Sequence, residues 1–281
     1  MRELGRRFVL PLYDVLADID RESVKENAEL DASSRSNRII WIFFATAVCL
    51  LLVNYLKYSS VYFAILSWLG DVFGSGPKSL IISLKQSDYF ILYKHAWWGG
   101  VHLVGYALIP MVIVKWGFKQ SLREYGWQVG AVRQHLKWYV ALASLIIVLL
   151  TIVSYRPDFQ SHYPFYKYAY RSWADFLGWE IIYIIQFISL EFFFRGFIVN
   201  GLRPYFGSSA VFIMCLPYLM IHFPKPWLEA SGAIFFWLFL GILAIRSKSI
   251  WGGVGVHVTI AMSMDIAALL QTNGLPDRWW P

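Results

Sequence analysis

Glu191 and Arg195 lie four residues apart in FLGWEIIYIIQFISLEFFFRGFIVNGL, residues 176–202, a run long and apolar enough to cross a bilayer. An ionisable group at mid-bilayer depth costs ~2.5–3.5 kcal/mol on insertion scales, so such residues face a protein interior or a wet cavity and usually have partners. A spacing of four puts both side chains on one helical face, one turn apart, where they can pair. One reading of the pair is structural: it neutralises itself and locks the helix to its neighbours. The other is chemical, and two later apolar stretches favour it. PYLMIHFP carries His222 and GGVGVHVTIAM carries His257, so a carboxylate and two imidazoles can meet inside a bundle, which is a set of groups suited to hydrolysis. His257, Ala261 and Asp265 step by four along one face of the last apolar stretch, which brings a second carboxyl onto that face. Glu180 shares the face of Glu191 but sits 11 positions earlier, ~16 Å away by helical rise, too far for the same site. For Glu180 the alternatives are an interfacial role or an exposed glutamate at the helix end.

Composition says what must position these groups. The chain is 58% apolar and 15% charged, against ~45–50% and ~25% in soluble domains. Several runs approach the ~20 residues needed to span hydrocarbon, and most of the 14 Trp and 17 Tyr fall near the ends of those runs, as in interfacial belts. The net charge of +7 is scattered through loops without forming a stripe, so a nucleic-acid partner is not expected and a lipid bilayer is. Cys49 and Cys215 lie within apolar runs without metal-type spacing and read as packing residues.

The expected fold is all-α, a polytopic transmembrane helical bundle of about seven spans plus an interfacial helix. Residues 1–38 read as a soluble arm of mixed charge, weakly amphipathic over residues 8–19, lying along the surface or in part disordered, with no early apolar core of a signal peptide. Residues 39–120 hold the first membrane segments: a span over 39–56 preceded by Arg35 and Arg38, an interfacial helix over 58–74, and a span from about Ala96 to Trp116. In that region His95 and His102 share a helical face and read as packing residues rather than metal ligands. Residues 121–270 form the membrane core, with spans over 136–154, 176–202, a short one over 209–222, 230–245 and 250–270, and residues 271–281 are a tail. The aromatic stretch 155–174, with Pro157 and Pro164, reads as an interfacial connector or lid. Pro217 and Pro224 flank the approach to His222 and can break its helix or shift it toward Glu191. A cytoplasmic N-terminus places Lys115, Lys119, Arg123, Arg133, Lys137, Arg203, Arg246 and Lys248 inside.

EFFFRG, then YLMIH, then HVTIA resemble the three signature motifs of the CPBP family, the CAAX-protease and bacteriocin-processing intramembrane endopeptidases, with SLREYGW ahead of them as a further likeness; the resemblance covers roughly residues 121–270. It implies an intramembrane endopeptidase in which a glutamate activates water to hydrolyse a membrane-anchored protein or peptide, as in C-terminal tail or sorting-signal processing. Glu191, His222 and His257 are the implied catalytic residues, and Arg195 and Asp265 the supporting ones. Two positions depart from the family pattern. Leu190 stands where the first of two glutamates, the one commonly assigned as base, is usual, and Ala261 where the last motif has asparagine. Three readings follow: Glu191 as an adapted base, a catalytically inactive relative serving as a membrane binding or immunity protein, or a zinc ion held by Glu191, His222 and His257. The leading reading has no cofactor. The expected location is a bacterial inner (plasma) membrane.

Overall fold

The computed structural model describes the backbone of residues 2–28 and 32–281 and the side chains of residues 12–28 and 36–281; Arg35 and parts of the expected arm lie outside the described residues. Every described element is a helix: α1 (Arg2–Ala28), α2 (Ala32–Leu56), α3 (Ser59–Val72), α4 (Ser79–Lys85), α5 (Phe90–Gly117), α6 (Val132–Val153), α7 (Pro157–His162), α8 (Trp173–Phe206), α9 (Ser209–Met220), α10 (Trp227–Ser247) and α11 (Trp251–Gln271). Six of these, α2, α5, α6, α8, α10 and α11, are long and apolar enough to cross a membrane, and α9 is a shorter apolar helix. This is the expected polytopic bundle, and the chain is an integral membrane protein. α3, at 14 residues, is too short to span, in line with its interfacial reading. α5 starts at Phe90, six residues before the expected onset, because the apolar pattern continues back through Tyr93 and Leu92.

The chain forms two compact units. The first comprises residues 1–48, 110–137 and 191–253. Within it the end of α8, the start of α9 and the end of α10 all meet α1. Glu26 accepts from Arg203 at 2.7 Å, Asp20 accepts from the Ser208 amide at 2.6 Å, and Asp18 pairs with Arg246 at 3.5 Å. The described part of the arm is therefore a docked helix. Its carboxylates find basic side chains and an open helix N-terminus, which opposes disorder. The loop after α5 is held by Ala131 donating to the Ser247 carbonyl (2.7 Å) and Ile250 to the Gly126 carbonyl (3.0 Å). Val211 of α9 lies 2.7 Å from where a Cβ on Gly241 would sit, so α9 and α10 approach as closely as glycine allows.

The second unit comprises residues 49–109, 138–190 and 254–281. Its core is aromatic: Tyr166, Phe176, Trp179 and Tyr183 pack with Ala261 and Leu269. Tyr163 and Tyr166, in the stretch read as an interfacial connector, are fully buried, and the short helix α7 lies within it. The middle of that stretch is thus part of the core: the Phe165 ring meets Trp179 edge-on at 6.3 Å and the Tyr166 ring lies tilted to it at 6.5 Å between centroids, while Tyr155, Tyr168 and Tyr170 stay exposed. The N-terminus of α8 is closed by Ser172 and Asp175. The Ser172 hydroxyl accepts from the Asp175 amide and donates to its carboxylate. The next orphan amides, of Trp173 and Ala174, donate to the carbonyls of Arg278 and Trp279 in the C-terminal tail at 2.9 and 3.0 Å.

Candidate active site

The helix bearing EFFFRG changes its winding at Glu191. α8 is α-helical from Trp173 to Glu191 and π-helical from Phe192 to Asn200. π turns are rare and recur at functional sites. Every residue from Phe192 to Val199 is buried. Glu191 and Arg195 form the expected ion pair, 3.2 Å apart with neither side chain exposed. The Arg195 guanidinium also lies over the ring of Tyr218 from α9, 4.5 Å from its centroid, a cation–π contact strengthened by desolvation. Phe194 packs edge-on against the same ring at 5.1 Å.

Tyr218 leads to His222. Their rings lie 4.6 Å apart, and His222 Nδ1 is 2.7 Å from the Tyr218 carbonyl oxygen. A carbonyl only accepts, so Nδ1 carries the proton and, in the neutral ring, Nε2 is left as an acceptor. α9 ends at Met220, and His222 sits in the turn that follows, ahead of Pro224. α11 adds Gly253, where a Cβ would coincide with the Glu191 carboxylate, so only glycine admits that carboxylate. The first unit therefore brings together Gly253, Glu191, Arg195, Tyr218 and His222 from three helices and the turn after α9.

His257 belongs to the second unit, buried on α11 one turn after Gly253. Its ring stacks on Phe187 at 5.3 Å and 14°. Phe187 in turn lies one helical turn before Glu191 on α8. Asp265 is fully buried, and its Oδ2 accepts from Trp179 Nε1 at 2.6 Å. Ala261 lies in the aromatic core of that unit, and Leu190 is buried. Glu180 is buried too, which corrects its reading as an exposed helix end: α8 begins at Trp173, two turns earlier, so Glu180 is an interior residue of the helix. His95 packs against Tyr166 and Trp179, and His102 against Trp98 and Tyr106, as packing residues do. Among the described residues no three His, Cys, Asp or Glu side chains gather as a metal site.

Residues 171–263 match the family model of the type II CAAX prenyl endopeptidases, Rce1-like. The matched segment is about a third of the chain, runs from Arg171 to Ser263, and contains Glu191, Arg195, His222 and His257. It bears out the resemblance to the CPBP family, and at the coarse level it makes the chain similar to CAAX-type membrane proteases. No curated protein and no solved structure matches the chain. Two residues of the Rce1-like segment escaped the sequence reading as site members. Tyr218 had a signal, an aromatic four before His222. Gly253 lies in the glycine-rich run GGVG, whose composition suits ordinary close helix packing, and only the carboxylate lying against it marks it out.

Proposed function

We propose that the chain is an intramembrane endopeptidase of a bacterial plasma membrane, hydrolysing a peptide bond of a membrane-anchored protein or peptide with a water activated by Glu191. The observation that carries this reading is the buried Glu191–Arg195 pair joined through Tyr218 to His222, inside the segment that matches the Rce1-like family. In this reading Glu191, 3.2 Å from Arg195, is the group that accepts the proton of water. The water gives that proton to Glu191 as its oxygen adds to the scissile carbonyl carbon. The tetrahedral intermediate then collapses, the C–N bond breaks, and the proton passes from Glu191 to the leaving nitrogen. His222 orients the water through its Nε2 lone pair. His257 takes, from the resemblance to the CPBP family, the role of donor to the developing oxyanion, where a preorganised donor has its largest effect. Asp265 acts at a distance by anchoring α11 through Trp179. The scheme uses no metal.

One observation favours a second reading, a catalytically inactive membrane binding or immunity protein: Leu190 and Ala261, at the two departures from the family pattern, are both buried. Purified protein in detergent with candidate tail peptides separates the two. Cleavage by wild type, with losses of about 10²–10⁴-fold in Glu191→Gln, His222→Ala and His257→Ala at retained helicity, supports the peptidase. Cleavage that survives Glu191→Gln removes the proposed base, and a wild type inert toward every tail peptide leaves the second reading.

A further inference from the structure

α8 and α9 form a helical hairpin whose vertex is Gly207, at φ +56°. One arm carries Arg195 and the other Tyr218, 12 residues before and 11 after the vertex, and the two meet at 4.5 Å. Their meeting is set by the angle at the vertex. α9 starts there without a side-chain cap from its own segment. Asp20 of α1 supplies the cap from another element. Its Oδ1 accepts from the Ser208 amide at 2.6 Å, and its Oδ2 accepts from the Ser208 hydroxyl at 3.2 Å. The same carboxylate occupies the space a Cβ on Gly207 would need. Glu26 and Asp18 hold α1 in place on either side, through Arg203 of α8 and Arg246 of α10.

We propose that Asp20 is a positioning residue of the candidate site: as the cap of α9 supplied by the N-terminal helix, it fixes the opening of the α8–α9 hairpin and hence the meeting of Arg195, Tyr218 and His222. The proposal rests on the peptidase reading for its kinetic consequence, but the cap itself does not. The lever is long. Ten residues of helix span ~15 Å, so a rotation of about 4° at the vertex moves the far end by ~1 Å, and a misplacement of that size can cost ~10²-fold in rate. Asp20 lies outside the segment that matches the family, so this chain uses its own N-terminal helix to set a site built from that segment.

The test compares full-length wild type, Asp20→Ala and Asp20→Asn by hydrogen exchange and by cleavage of a tail peptide. Asn caps helices as well as Asp, whereas Ala does not. The expected result is that Asp20→Ala speeds exchange in the first turn of α9 about fivefold or more and lowers kcat at least tenfold with KM unchanged, and that Asp20→Asn restores both. Glu26→Gln, which removes an ion pair of α1 and leaves the cap, controls for loosening of α1 in general. Unchanged exchange in Asp20→Ala overturns the cap. Faster exchange with unchanged kcat overturns the positioning role, as does a Glu26→Gln variant that loses kcat as far as Asp20→Ala. A wild type that cleaves no peptide overturns the peptidase reading and the kinetic consequence with it, while the exchange data still decide whether Asp20 caps α9.

Discussion

Arg195 lies away from solvent, between the Glu191 carboxylate and the face of Tyr218. Removing one partner of such a pair leaves the other buried and uncompensated, at ~3–5 kcal/mol, whereas replacing both by apolar groups is often neutral. Glu191→Gln is therefore expected to lower the unfolding temperature in detergent, and Glu191→Gln with Arg195→Met to recover most of it while remaining inactive. Thermal melts beside peptide cleavage check both. A double variant that regains activity would free Glu191 from its proposed role. Gly253 gives a finer probe of the same carboxylate. Gly253→Ala sets a methyl where the carboxylate lies and is expected to lower kcat tenfold or more. Gly255→Ala, with no atom within 4 Å of its Cβ position, should leave kcat within about twofold.

Among the elements, α8 is held at its first turn by more than the Ser172 cap. The Arg171 guanidinium donates to both Asp175 oxygens at 2.9 Å, and the Tyr166 hydroxyl donates to the same carboxylate. Burial, and then the hydrogen bond to Asp175, push the Tyr166 hydroxyl above the ordinary phenol range. A folded-state pKa raised above the unfolded value means that the unfolded chain loses its proton first as pH rises. The contribution of Tyr166 is thus full below about pH 10 and is lost above it. Melting temperature should fall above pH 10 in wild type and less steeply in Tyr166→Phe, and equal slopes would contradict the network. Further along α8, the winding changes from α to π directly after Glu191, and Phe192 to Val199 within the π stretch are all buried.

For the whole molecule the question is the number of crossings. α9 is 12 residues, ~18 Å, short of the ~30 Å of hydrocarbon. Its start and the end of α10 are both tied to α1, through Asp20 and Asp18, so α9 leads away from that end and α10 returns to it. Counting α9 and the turn after it as one crossing beside the six long helices of the described residues gives the expected seven, with the termini on opposite sides. The basic residues bear on which side. Arg203 and Arg246 meet α1 in the first unit, and by the positive-inside bias that end is expected in the cytoplasm. Reporter fusions at the two termini should read cytoplasm at the N-terminus and the opposite compartment at the C-terminus. The same compartment at both would make α9 re-entrant.

The apolar runs by themselves determined the bundle, because every lipid-exposed backbone must satisfy its own hydrogen bonds and a helix is the local way to do so. The spacing of Glu191 and Arg195 likewise determined their pairing, a contact within one turn of one helix. What only the tertiary structure decided are contacts between elements far apart in the chain. Tyr218 lies under Arg195, the Glu191 carboxylate is seated on Gly253, and Asp20 caps a helix that starts 189 residues later at Ser209. No periodicity reports such contacts. They depend on which faces of separate helices meet, and in an apolar chain many faces look alike until packing chooses among them.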